Sequence, residues 1–397
     1  MSPTERFVVI ILASINFTHI MDAMIMMPLG DIFMDLYRIS PAQFSYLVSI
    51  YAFAAFFSSL LATFILDRFD RRNALIFVYA GFSMGTLLCG LADSYLFLMV
   101  VRLVTGLFGG VIGALALSIV SDLFKYERRG TAIGVLTAGF SAAAALGVPV
   151  GLFLADQFSW NAPFFFIGSL GVILTILIVL RFPRITGHLE GEVVTNPRKI
   201  LSAIFGDSNQ VNALLLGLVL VLGHFLIIPF IAPYMTRNVG FEQSQITLIY
   251  FFGGALTVFT APLIGRLTDR FTPYPTFFIL MLISFVPVLW ITNMQVTPIP
   301  LALIATSLFF VFGSGRMIAP QTMITATVGP KSRGSFMSVK SALQQLAVAM
   351  ASLISGSIIV FGQGNSLLHY EQVGYLSILL CIAALFLGRK LTVAKGN

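Results

Sequence analysis

Three residues in the first and fourth long apolar stretches offer the chemistry of this chain: Asp22, Arg102 and His19. A carboxylate in an apolar segment resists ionisation and a guanidinium beside it favours the charge, so such a pair can gain or lose a proton according to what else is bound. Counting along the stretches brings the two to one level. Asp22 lies roughly 22 Å in from one end of the first, and Arg102 roughly 9 Å in from the opposite end of the fourth, in a core about 30 Å thick. His19 is one helical turn from Asp22 on the same face. Two plainer readings fit the same pair, a permanent structural salt bridge and a charge that anchors substrate without exchanging a proton. Arg102 is expected to face a protein interior, because an arginine in an apolar span costs several kcal/mol unless it is paired or hydrated.

The elements that must position these groups are long, apolar and repeated. Stretches able to cross a bilayer fall near residues 7–32, 43–66, 74–91, 96–123, 131–155 and 162–180, then 211–235, 246–264, 276–291, 301–323, 335–361 and 374–387. They are expected to be helices, since open strands against lipid would leave backbone groups unsatisfied. Composition agrees: 58% hydrophobic residues, 10% charged and a mean hydropathy of +0.96 do not make a water-facing surface. Most of the 38 Phe residues are expected to face lipid. The polar stretch at 181–207, with Arg184, Glu190, Glu192, Arg198 and Lys199 among Gly187, Gly191 and Pro197, reads as a linker. The expected organisation is a six-helix half at 1–182, a cytoplasmic linker at 183–208 and a second six-helix half at 209–397.

Charge fixes the expected orientation. With the N-terminus in the cytoplasm, the Lys and Arg residues gather in cytoplasmic gaps and Arg38 and Arg237 are left outside, so both termini are expected to be cytoplasmic. The net charge of +7 is spread over short loops, which excludes a nucleic-acid-binding face. Cys89 and Cys381 both lie in apolar runs and support neither a disulfide framework nor a metal site. The N-terminal segment runs from Arg6 into the first span without a small-residue cleavage site and is expected to be a retained helix. No nucleophile elbow, zinc-hydrolase or phosphate-loop motif is present, so neither enzyme chemistry nor a cofactor is expected and any transport would run on a gradient.

The halves echo one another. Asp67-Arg68-Phe69 recurs as Asp269-Arg270-Phe271, Arg129-Gly130 as Arg333-Gly334, and His19 with Pro28 as His224 with Pro233, each roughly 200 residues on.

With these residues the chain resembles the major facilitator superfamily along essentially its whole length. Asp67, Arg68, Arg71 and Arg72 match the family's loop motif G-x-x-x-D-R-x-G-R-R, with Thr63 and Asp70 at its glycines; the second copy keeps Gly265, Asp269 and Arg270, with Thr272 and Pro273 replacing the rest. The resemblance implies a cytoplasmic latch there, and the plainer reading is that the arginines enforce topology. Arg102 with Gly106, Gly109 and Gly110 resembles the family's R-x-x-x-G signature. Gly139 and the run Gly147-Val148-Pro149-Val150-Gly151 resemble the fifth-helix antiporter motif of drug and sugar exporters, where proline and glycines permit kinking and close packing.

What the resemblance implies is a twelve-helix secondary transporter, two halves alternating around a central cavity, with proton-driven export of a small organic or amphipathic molecule. Lipid or lysolipid movement of the spinster type, an uncoupled facilitator and a non-transporting sensor are the other readings. Candidate cavity residues are Phe17, Tyr46, Tyr51, His224, Phe225, Tyr250, Arg316 and Gln344; the aromatic ones also serve as ordinary bundle filling, and His224 as a packing residue. Arg316 and Lys340 are expected in the cytoplasmic third, where snorkelling to the interface explains either and a substrate or gate role fits them equally well. Asp31 and Asp35, at the outer end of the first span, are expected to be solvated. The expected partners are substrate, protons and membrane lipids, with the protein a monomer in a bacterial-type plasma membrane.

Overall fold

The computed structural model describes residues 2–124, 126–186, 197–329 and 332–393. The first helix, α1 (Pro3–Ile25), begins where Ser2 and Glu5 form a capping box and Pro3 occupies the first turn. It ends at Ile25, short of the expected 32. Pro28 and Gly30 punctuate the chain there, and a separate short helix, α2 (Gly30–Leu36), follows. Next come α3 (Pro41–Ile65), α4 (Arg71–Gly90, capped by Asp70) and α5 (Tyr95–Leu123, capped by Ser94). The fifth span is composite: α6 (Tyr126–Ala142) passes through a π-helical turn at Ala143–Gly147 into α7 (Val148–Gln157). The first series closes with α8 (Ala162–Arg181).

Beyond the polar stretch lie α9 (Pro197–Phe205) and α10 (Ser208–Phe225, capped by Asp207). The chain continues into α11 (Ile228–Tyr234) and a second π-helical turn, Met235–Val239. The remaining helices are α12 (Gln243–Phe271), α13 (Pro273–Thr292), α14 (Ile299–Ala326), α15 (Arg333–Ile358) and α16 (Tyr370–Arg389). Among the described residues, twelve helical spans are long and apolar enough to cross a membrane. The eleventh stops at Ile358 rather than 361. Val360–Phe361 (β1) instead pairs antiparallel with Leu367–Leu368 (β2) in the loop that follows, outside the spans.

Two units make up the chain, residues 1–26 with 50–197, and residues 27–49 with 198–397. The first is packed around Leu12, Ile15, Tyr79, Phe82, Ile112 and Ile119, and the second around Leu216, Leu220, Phe277, Met281, Phe336 and Cys381. Large apolar side chains also cover the outside: Phe77 is 69% and Phe259 73% exposed, as expected where the surrounding solvent is lipid.

Candidate functional site

In the first unit, small residues on α5 set the geometry. A side chain at Gly106 would run into the backbone of Tyr51, and one at Gly110 into that of Ala55, so only glycine lets α5 lie this close to α3. That approach puts the Arg102 guanidinium 4.2 Å from the centre of the Tyr51 ring. From α1, Asp22 completes the group: Arg102 donates from Nη1 to Asp22 Oδ2 at 2.9 Å, and Thr86 of α4 donates to Asp22 Oδ1 at 3.1 Å. The two charged side chains are 0% and 1% exposed, so the ion pair is dry. Depth counting thus brought together residues 80 apart in sequence. His19 lies one turn away with its ring edge-on to Phe82 at 5.6 Å, and both of its ring nitrogens are buried without a hydrogen-bond partner. Tyr51, read from sequence as cavity lining, is a buried member of this cluster, and its hydroxyl is likewise unpartnered.

The fifth span carries α1 into place. A side chain at Gly139 would meet the backbone of Ala13, one at Gly147 would touch Met21 and Phe17 at 3.3 Å, and one at Gly151 would press on Ile25. Asn16 adds a hydrogen bond to the Leu136 carbonyl at 3.0 Å. The antiporter-like motif is therefore the floor on which the helix bearing Asp22 and His19 rests, with Pro149 in the first turn after the π segment.

At the loop motif, Arg71 is buried, donating from Nε to Asp122 at 2.7 Å and from Nη1 to the Leu66 carbonyl at 3.0 Å. Arg72 reaches the Val179 carbonyl of α8. Asp70, at a glycine position of the family motif, caps α4 and accepts from the Ile185 amide at 3.2 Å. Arg68 is exposed, and the side chains of Asp67 and Thr63 lie outside the described residues. In the second copy Asp269 and Arg270 are exposed, Arg270 lies over Phe271, and nothing crowds Gly265.

The second unit overturns one expectation. Asp31 is buried rather than solvated, held by Arg237 Nε, while Arg237 Nη2 donates to Asp35 at 2.6 Å. Arg237 sits in the Met235–Val239 turn, also reaches the Asn365 carbonyl at 3.4 Å, and lies over the Phe361 ring. Its neighbour Asn238 exchanges two hydrogen bonds with the backbone of Leu367, both 2.9 Å, so the β-hairpin and the 27–49 segment are tied to one turn. Burial pushes the Asp31 carboxyl above the usual carboxylate range, the positive charge of Arg237 opposing the rise.

Arg316 and Lys340 do not snorkel either. Arg316 is 0% exposed and donates to Ser284 Oγ at 3.1 Å, with His224 Nδ1 at 3.4 Å from its other terminal nitrogen. Lys340 is 5% exposed and donates to Gln321. His224 stacks on Phe309 and meets Phe225 edge-on. Tyr250 is buried beside Phe310 with its hydroxyl unpartnered, whereas Phe17 and Gln344 are half-buried and Tyr46 is exposed. Among the described residues no cluster of His, Cys, Asp and Glu is arranged to hold a metal ion.

Comparison with known proteins follows the same lines. The chain is 23% identical to the MFS-type transporter YceJ of Bacillus subtilis (strain 168), over 93% of each chain. It is 22% identical to a protein named "Probable sugar efflux transporter" of Helicobacter pylori (strain P12), over 90% of this chain and 88% of the other. Among solved structures, a bacterial homolog of the human lysosomal transporter Spinster, in an inward-facing and unoccupied conformation, matches with a TM-score of 0.77 at 18% identity, over 98% of both chains. A D-xylose-proton symporter matches with a TM-score of 0.74 at 15% identity, again over 98% of both. These structures share the twelve-helix major facilitator fold. The Major Facilitator Superfamily model matches residues 12–210 and 213–396, and the chain is a multi-pass membrane protein that belongs to that family of transporters.

Proposed function

We propose that this protein is a proton-coupled exporter of a small organic or amphipathic molecule, working by alternating access. The observation that carries the reading is the dry Asp22–Arg102 pair. A proton arriving on Asp22 Oδ2 displaces the donation from Arg102 Nη1, cancels the attraction, and frees the guanidinium to shift toward the Tyr51 face; loss of the proton restores the pair. Such an element has two arrangements, and a substrate that prefers one of them is coupled to the proton. The glycine floor under α1 suits the role, since close small-residue contacts allow one helix to slide on another. The relatives named for sugar efflux support export of a small molecule.

In this reading the six-helix halves at 1–182 and 209–397 are the moving parts, joined by the cytoplasmic linker at 183–208. The loop motif around Asp67, Arg68, Arg71 and Arg72 is the cytoplasmic latch, both termini face the cytoplasm, and the protein works as a monomer. The test is reconstitution in liposomes with an imposed pH gradient and a panel of drugs, sugars and lysolipids, comparing wild type with Asp22→Asn. Gradient-driven flux that disappears in the variant is expected, and flux unchanged in it removes Asp22 from the mechanism. Lysolipid flux alone would move the assignment to the lipid reading.

A further inference from the structure

Charge at membrane depth is distributed unequally between the units. In the first, Arg102 is matched by Asp22. In the second, Arg316 and Lys340 are both buried, and the groups they touch are neutral: Ser284 and His224 for Arg316, Gln321 for Lys340. The acids of that unit lie at helix ends. Asp207 and Glu242 cap α10 and α12, Asp269 is in the last turn of α12, Glu371 is in the first turn of α16, and Asp31 and Asp35 are taken by Arg237. A buried cation without a counter-charge is costly in a medium of low dielectric, so neutral dipoles alone leave this interior short of negative charge.

The two cations, Arg316 on α14 and Lys340 on α15, both reach α10. His224 of α10 meets Arg316, and the Lys340 side chain would lie 3.6 Å from a side chain placed at Gly217 of the same helix. Seven residues of α-helix separate those positions, or about 10 Å. Further polar capacity is unused nearby. Arg316 Nε is buried without a partner, and so is the hydroxyl of Tyr250, whose ring packs on Phe310 next to the Phe309 that stacks on His224. With Nδ1 facing the guanidinium, the neutral imidazole of His224 carries its proton on Nε2, a further donor.

We infer that Arg316, His224 and Lys340 form a binding site for the carboxylate or phosphate of an amphipathic organic anion, which supplies the charge that the second unit lacks. Arg316 offers the fork that planar oxyanions accept, and Lys340 a point charge two turns away. The inference rests on the transporter reading and names the class of its substrate. A free organic anion and an anionic lipid headgroup present the same chemistry.

The test uses the full chain in phosphatidylcholine nanodiscs, with the unfolding midpoint followed during titration with octanoate, octyl phosphate or octanamide. Both anions are expected to raise the midpoint with concentration and octanamide to leave it unchanged. Arg316→Gln should weaken the anion response by about 30-fold or more, the loss expected when one partner of a desolvated charge pair is removed. Lys340→Gln should weaken it less. Arg316→Lys keeps the charge and serves if the glutamine variant fails to fold, with an intermediate response expected. Phosphatidylglycerol in the disc separates the sources: a lipid site shows a raised midpoint that Arg316→Gln abolishes and a blunted response to octyl phosphate, and a site for free anions shows neither. Gradient-driven flux in liposomes is measured in parallel on the wild type and the Arg316 variants, so failure of proton coupling with the anion response intact and failure of this site are read separately. Equal stabilisation by octanamide, a wild-type response in both Arg316 and Lys340 variants, or no response to any probe would overturn the assignment.

Discussion

Replacing both members of the Asp22–Arg102 pair should leave a stable protein that no longer couples to protons, whereas replacing one should damage stability severely. With side chains 0% and 1% exposed, neither charge can turn to solvent when its partner is lost. Asp22→Leu leaves the guanidinium beside the neutral Tyr51 ring at 4.2 Å and the Cys89 thiol, and an uncompensated buried charge costs about 3–5 kcal/mol. At 1.4 kcal/mol per factor of ten, that lowers the folded-to-unfolded ratio by roughly 100- to 3,000-fold. Arg102→Met strands the carboxylate, which among the described residues keeps the Thr86 hydroxyl at 3.1 Å, and should cost a similar amount. In the double variant the ions are exchanged for apolar volume, and stability should return to the wild-type level or exceed it by about 1–4 kcal/mol. The assay is a double-mutant cycle measured by unfolding in mixed detergent micelles, alongside gradient-driven flux in liposomes for all four proteins. A single variant within 1 kcal/mol of wild type would refute the dry pair. Proton-driven flux in the double variant would refute its coupling role.

Three further outcomes are expected. Arg237→Gln removes the hub that holds Asp31, Asp35 and the β-hairpin, so hydrogen exchange should accelerate at 27–36 and 360–368 while exchange in α13 is unchanged; equal protection in both proteins would show the hub to be dispensable. The Asp31 carboxyl, raised by burial, binds its proton more tightly here than in water; its contribution to stability is full at low pH and is lost as pH rises through the raised value, so Asp31→Asn should flatten the acid side of a midpoint-against-pH curve. Gly106→Val places a branched side chain against a backbone whose nearest Cα would be 2.9 Å from the new Cβ, and should lower stability by about 1–3 kcal/mol and part Arg102 from Tyr51, read as a lower unfolding midpoint and reduced flux; an unchanged midpoint would mean that α5 and α3 are not in tight contact.

Hydropathy gave the twelve spans because lipid imposes length and composition on every one of them. The Asp22–Arg102 pair was legible for a related reason: helical rise converts residue count into depth, and two opposite charges at one depth in a dry bundle must find each other. Arg237 with Asp31 and Asp35 was not legible. Residues at span ends look solvated in a sequence, and nothing local says that a loop will fold over them. The break after Ile25 was signalled by Pro28 and Gly30 but was masked by the apolar residues around them. For Lys340 and Arg316 the choice between snorkelling and a substrate or gate role stayed open in the sequence, because snorkelling depends on which way a side chain points, and rise per residue fixes only height. The capping role of Asp70 had a signal, an acid directly before a helical run, that the comparison with the family's glycine obscured.

The π turn at Ala143–Gly147 holds one residue more than ordinary α-helical winding needs. Each residue of an α-helix turns the chain by about 100°, so a deletion elsewhere in the fifth span would swing Gly151 away from Ile25. Excising Ala144 would merely tighten the wide turn and leave the downstream face pointing where it did. This is the place where the span can lose a codon and keep its register, and an unfolding midpoint close to wild type in that shortened chain, against a large drop for excision of Ala138, would show it.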